Sequence, residues 1–459
     1  MANKKSQSIQ EIPLHIIGGV LAQLDSMQQL APAILSHRLF LDAFKDNTRT
    51  VTASILRNQI PEKLLPFVIA VQQSAKVDPR NHDAVRSLLI NFQEAILNPQ
   101  STISSLTSVT PHQAAEMEET YMATKCLCEG FADETIPVAN ERLQLNHPPT
   151  ISHEEMFRLG RAFLRYQLMC NLFCTTEGIP LSMEECGERF FHIFSPWVNE
   201  QLICIYAYLA SKVCAGFDEL VAHDIEWGEL PITAALSEDQ CPNIQGFLRQ
   251  NLPFLSKVCR SRSYDEWAPL LKLQRTYSGL YDFQPAYILG CMLPNEATIR
   301  DLELDKNTDP LESYGNARLE KLKGSHDGPQ NDLTSNTFKM WFLAYKENSI
   351  YYTVRHPLYT SLWECGYIIW DYPELDEDTV LPLIEQVKTR ERHFQRAKQP
   401  DRDTRMRSQD RRSDIYWSGG RGYWPLDEVD FSRVHGLSEK KKENLRLQWD
   451  LAQLSESKT

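Results

Sequence analysis

The chain has 459 residues, 42% of them hydrophobic and 24% charged, a composition that excludes wholesale disorder and supplies enough apolar mass for packed cores. Its 48 Lys and Arg against 61 Asp and Glu leave a net charge of −13, which excludes a generally basic, nucleic-acid-binding body. No apolar run reaches the roughly 20 residues of a membrane-spanning helix, and the polar opening at residues 1–7 lacks the apolar stretch of a secretory signal. The 11 cysteines are scattered and odd in number, so the expectation is buried, reduced thiols in a cytoplasmic and/or nuclear protein.

In chain order, the first informative segment is 11–44. Pro13 suits a first helical turn, because its missing donor would be unpaired there in any case. Ile16, Ile17, Val20, Leu21 and Leu24 follow at helical spacing, and Asp25-Ser26 can end that helix and cap the next. Leu30, Ile34 and Leu35 make a second short stripe, and Leu39, Phe40 and Phe44 a third. Three helices this short and this apolar need a neighbour to cover them.

Further helices are predicted over 83–95, 111–131, 335–347 and 378–392. Ser152 with Glu155 has the capping-box spacing and opens a long helix carrying Met156, Leu159, Phe163, Tyr166, Cys170 and Phe173. Ser195-Pro196-Trp197 starts another, apolar on most sides and so read as buried. Asn146-His147-Pro148-Pro149 separates two helical blocks; 323–330 reads as a flexible insertion. Trp363, Tyr367 and Trp370 have the spacing of one helix face, and 351–354 is a β-prone run that could equally be a loop. The stretch 399–422 reads as an exposed linker before a last helix over 438–454. Residues 388–412 hold ten Lys or Arg and four Asp or Glu, a local +6 that leaves −13 − 6 = −19 elsewhere. Without interleaved aromatics this basic stretch reads as a solvated surface rather than a nucleic-acid site.

Catalytic signatures are missing. There is no phosphate-binding glycine loop, no nucleophile elbow and no HExxH, and the glycines of 419–422 follow no strand. Residues 301–312 place oxygen ligands at calcium-loop spacing, but Lys306 stands where the turn needs Gly. Cys170 and Cys174 would share a helix face, with His192 following, yet no four-ligand set accompanies them. Neither metal nor cofactor is expected, and the chain reads as a non-enzyme.

The N-terminal segment resembles an F-box. Ile12-Pro13, Ile16-Ile17, Val20-Leu21, Leu24 and Ser36-His37-Arg38-Leu39-Phe40 match that pattern, with departures at His15, where the family usually has Glu, and at Pro32 inside the second helix. The segments 194–202 and 363–371 look similar to large helical F-box-like proteins of filamentous fungi. The resemblance implies a mainly α fold: an adaptor-binding unit over 1–50, a helical body over 51–390 that recruits substrate, and a basic linker with a terminal helix over 391–459. It also implies a substrate-receptor subunit of a Skp–cullin–F-box ubiquitin ligase, whose partners are a Skp-type adaptor, through it a cullin, and a protein substrate. The adaptor-binding residues would be Pro13, Leu14, Ile17, Leu21, Leu24, Leu39 and Phe40. Two other readings are a helical interaction scaffold that keeps the F-box-like fold without a ligase role, and an enzyme with a pocket in the helical body.

Overall fold

Breakers and short polar side chains set the helix boundaries. Pro13 leads into α1 (Leu14–Leu21). The Ser26 hydroxyl accepts from the Gln29 amide and caps α2 (Met27–Ser36), which continues through Pro32. His37 Nδ1 accepts from the Leu39 amide and starts α3 (Arg38–Gln59), which kinks at Asn47. Beyond these lie α4 (Leu65–Ser74), α5 (His82–Leu97), α6 (Pro99–Leu106) and α7 (Pro111–Leu143). Thr110 and Gln113 close a capping box on α7, and Ser152 and Glu155 close the expected one on α8 (His153–Phe173). A short α9 (Met183–Cys186) and a π-helical turn over Gly187–Phe191 precede α10 (Pro196–His223).

The computed structural model describes residues 12–144, 147–148, 150–174, 181–229, 241–273, 284–292, 309–328, 333–348, 359–372, 377–388, 402–417, 419–422 and 438–456. The fold is mainly α, as the periodicity predicts; among the described residues the one extended feature is an isolated bridge between Asp224 and Arg421. The β-prone run 351–354, residues 301–308 of the calcium-like spacing and most of the first half of the basic stretch lie outside the described residues.

The chain divides into two compact units, with boundaries unlike those at 50 and 390. The first comprises 1–208, 249–256 and 281–393, and the second 209–248, 257–280 and 394–459. Residue 50 falls inside α3, so the N-terminal helices belong to the first unit.

In the first unit, α8 packs on α4 and α7, and α1 and α2 pack on α3. From Arg158 onward α8 is buried on nearly every side, its three arginines included. Each guanidinium therefore needs an acceptor supplied by another segment. Arg158 donates to Ile369 O at 2.7 Å and pairs with Asp371 at 2.6 Å. Arg161 donates to Gln201 Oε1 at 2.9 Å and Arg165 to Asn199 Oδ1 at 2.7 Å, which seats α8 against the start of α10. Arg165 also lies over the Phe194 ring, 3.8 Å from its centroid. Burial pushes the Arg161 guanidinium down to about 10.

Glu155 closes the other end of α8. It accepts from Ser152 N, Asp371 N and the His147 ring, each at 2.6–2.7 Å. Burial works against its charge, but these hydrogen bonds outweigh it and hold the carboxyl below its ordinary value.

Three sequence expectations are corrected here. The loop at 323–328 is a docked element: Asp327 is 6% exposed and accepts from Ser195 N at 2.8 Å and Gly324 N at 3.0 Å, so its carboxylate ties the loop to the start of α10. Trp363 and Trp370 do not share a helix, because the helix Thr360–Cys365 stops at Gly366 with φ +62°; both rings are buried nonetheless. The described part of the 399–422 stretch, residues 402–417 and 419–422, is not an exposed linker. It contains the helix Arg402–Trp417, in which Arg412 and Ile415 are buried. The last helix, Glu439–Glu456, starts at Ser438 as expected.

The second unit is organised around Asp224, which is fully buried. Its carboxylate accepts from Tyr264 OH at 2.8 Å, pairs with Lys272 at 2.5 Å and takes the Glu226 amide at 2.9 Å. The helix Arg402–Trp417 packs on the 3-10 turn Ile225–Glu229 that follows Asp224. Phe217 packs edge-on against Trp227, with ring centroids 5.5 Å apart.

Gly324 has no room for a side chain, since a Cβ there would lie 2.2 Å from Phe194 Cα. Gly324→Ala is expected to cost about 1–3 kcal/mol, read as an earlier midpoint in denaturant unfolding.

Candidate functional site

The three N-terminal helices divide their apolar residues between two environments. Ile17 and Leu21 are 3% and 2% exposed, buried where α1 lies along α3. The approach is close: a Cβ on Gly18 would come within 2.9 Å of the Asn47 side chain, at the kink of α3. At the other end of α1, Asn58 Nδ2 donates to Ala22 O at 3.0 Å. A cleft of about 300 Å³ opens there, lined by Gln23, Ser54, Arg57, Asn58 and Glu62 among others.

The opposite side of α1 is bare. Ile12, Ile16 and Val20, spaced by four residues, are 39%, 51% and 59% exposed, and Leu35 on α2 is 79% exposed. Beyond its chain neighbours and the helix's own backbone, no atom lies within 4 Å of a Cβ built on Gly19, on the same helix. Such a run of exposed aliphatic side chains in a short stretch of chain marks an interaction surface.

The sequence-predicted residues fall into three groups. Pro13 is exposed. Leu14, Leu24, Leu39 and Phe40 are half-buried. Ile17 and Leu21 are buried by the chain itself, and their assignment to a partner-facing side is corrected: they are the inward residues of α1. The outward ones, Ile16 and Val20, are each one position earlier. The paired aliphatics Ile16-Ile17 and Val20-Leu21 are ambiguous in sequence, because either member of each pair can face the core; the position of α3 decides between them.

The unit is fixed to the helical body by Glu118 of α7, which is 3% exposed. Its Oε1 accepts from Met27 N, the first residue of α2, at 3.1 Å and from Gln59 Nε2, the last residue of α3, at 2.7 Å. One buried carboxylate thus supplies an acceptor to two of the three helices, at the helix end where a negative charge is favourable for α2.

A different cluster has the electrostatics of an active site. Glu200 on α10 is 2% exposed, and its Oε1 accepts from Tyr367 OH at 2.6 Å, Trp363 Nε1 at 2.7 Å and Tyr345 OH at 2.8 Å. Burial pushes its carboxyl up to about 7, against the three hydrogen bonds that favour the anion. The group is walled in by aromatic side chains rather than opened to a substrate. Sequence reading missed it because its partners come from two distant segments, 341–345 and 363–367.

Comparison with protein-family models, curated proteins and solved structures finds no match for this chain. Among the described residues, no three His, Cys, Asp or Glu side chains group at metal-binding distance, and no helix is long and apolar enough to cross a membrane.

Two outcomes test this geometry. Glu118→Ala leaves the Met27 amide and the Gln59 side chain without their acceptor, and is expected to cost about 1–3 kcal/mol and to speed amide hydrogen exchange in α1 and α2. For Glu200, the unfolded chain releases a proton above the ordinary carboxyl value of 4.5, whereas the folded chain keeps it up to about 7. Stability therefore falls as pH rises through that window and levels off above it, by up to about 3 kcal/mol. Glu200→Gln should remove that slope from the pH dependence of unfolding.

Proposed function

We propose that the chain is a non-catalytic receptor subunit that docks a Skp-type adaptor through its N-terminal helices, and so places the helical body and whatever protein that body holds on a cullin-based ubiquitin ligase. The observation that carries this reading is the two-sidedness of α1. Its inner side, Ile17 and Leu21, is spent on α3, while Ile12, Ile16 and Val20 remain bare on a unit tied to the body by Glu118. The F-box resemblance supplies the partner's chemistry: a mostly apolar helical surface. An interface that persists buries about 800 Å² on each side, more than one eight-residue helix presents, so the reading also draws on the exposed Leu35 of α2 and the half-buried Leu39 and Phe40. The work done is positioning, with no covalent step on this chain.

A second reading is favoured by one specific observation. Because Ile17 and Leu21 are sealed by the chain's own α3, the three helices have an internal reason to exist without an adaptor. On that reading the protein is an interaction scaffold with an F-box-like fold, and the bare side of α1 meets some other protein.

Val20→Asp places a charge on the outer side and should abolish co-purification of a recombinant Skp-type adaptor, with thermal stability within about 0.5 kcal/mol of the parent. Leu21→Asp should instead unfold the N-terminal helices, seen as lost amide protection in α1 and α3. If the parent chain captures no adaptor, the scaffold reading stands. If Val20→Asp captures it undiminished, the outer side of α1 is not the docking surface.

A further inference from the structure

Around α9, three sulfur atoms converge that neither the docking surface nor the core of α8 uses. Cys291 sits in the 3-10 turn Leu289–Met292, and its thiol donates to Met183 Sδ at 3.1 Å. Cys186 closes the same helical turn as Met183, which packs on the turn that carries Cys291, and the Cys291 thiol is close enough to help hold the Cys186 thiol in its protonated form. Met183 and Cys186, three residues apart, sit on one side of a single helical turn. The two segments approach closely because Gly187 has no side chain: a Cβ there would lie 3.1 Å from Cys291 O. Cys186 and Cys291 are 1% and 6% exposed, whereas Met183 is half-buried and gives the group a face toward solvent.

We propose that Met183, Cys186 and Cys291 form a binding site for one soft monovalent metal ion of the copper(I) class. Two thiols and a thioether are a soft donor set, which selects such an ion over calcium or magnesium. Zinc takes four ligands in structural sites, and among the described residues no third His, Cys, Asp or Glu side chain joins the two thiols at metal distance. Three sulfurs suit a three-coordinate ion.

A metal–sulfur bond of about 2.3 Å would place the sulfurs of such a triad about 4 Å apart. Met183 must then swing back by about 1 Å, which an unbranched side chain does readily. Binding breaks the S–H bond of each thiol that ligates, releases that proton to solvent and leaves the metal's oxidation state unchanged. Because each ligating thiol gives up a proton, metal uptake strengthens as pH rises. The site goes beyond the proposed adaptor docking and does not depend on it.

The test uses the full-length chain under anaerobic, reducing conditions, titrated with copper(I) against a chromogenic copper(I) chelator. The parent should retain one equivalent, and Cys186→Ala/Cys291→Ala should lose it. Met183→Leu, a nearly volume-conserving change that keeps the fold, should weaken retention by at least about tenfold, the loss typical even of an outer-shell partner. Cys126→Ser, outside the triad, should behave as the parent. The proposal is overturned if the parent yields all its copper to the chelator, or if Met183→Leu and the double variant retain as much as the parent. Should the double variant fail to fold, Met183→Leu decides alone.

Discussion

The constraint that organises the first unit is the burial of a cationic helix. Arg158, Arg161 and Arg165 lie on successive turns of α8 with almost no solvent, and a guanidinium left without an acceptor there would cost several kcal/mol. Three separate stretches of chain answer that demand: the start of α10 with Asn199 and Gln201, the 369–371 turn with its carbonyl and Asp371, and the ring of Phe194. Phe194 is in turn held between its own chain and the 323–328 loop, where Gly324 presses on its backbone. The positions of these segments are consequences of where the three positive charges sit. The acceptors are largely neutral amides and carbonyls, so the contact is directional more than Coulombic, and it specifies one arrangement of α8 and α10.

The N-terminal helices obey a different economy. They are held by apolar contact along α3, by Asn58 on the end of α1 and by a single carboxylate from α7. The inner side of α1 is satisfied within the chain and the outer side is not, and that asymmetry gives the docking reading its content. It also separates two effects that substitution at adjacent positions would otherwise confound. On the proposed docking reading, a change at Leu21 acts on folding and a change at Val20 on association, because the first side chain is buried and the second exposed.

Much of the fold could be read from the sequence where a local rule governs. The capping box at Ser152 and Glu155, the Ser195-Pro196 start of α10 and the Ser438 start of the last helix are set by side chains within one turn of the boundary, and all three appear where the spacing puts them. What escaped were features set by distant partners. Lys323–Gly328 is rich in turn residues, which locally signals mobility, yet Asp327 is recruited by amides 132 residues away in Ser195 and nearby in Gly324. The Arg402–Trp417 helix is too charged to show an apolar stripe, and its burial of Arg412 and Ile415 comes from packing on the turn after Asp224. Of the candidate site, the N-terminal location was legible and the facing was not. The Ile-Ile and Val-Leu pairs place an aliphatic side chain on both sides of α1, and only the position of α3 shows which is inward. The Glu200 nest and the sulfur triad left no local trace, because each draws its members from segments far apart in sequence.

One feature of α3 has a mechanical corollary. The helix begins among the N-terminal helices and ends at Gln59, which is hydrogen-bonded to the body through α7, so rod rather than string joins the two regions. α1 lies along this helix, and the end of α1 is bonded to Asn58, one residue before the anchored Gln59. A protein seated on the bare side of α1 would thereby be held at a set azimuth about α3, close to the point where Glu118 fixes that helix to α7. Cargo carried on the body would be presented at one bearing, instead of sweeping the volume that a tether allows.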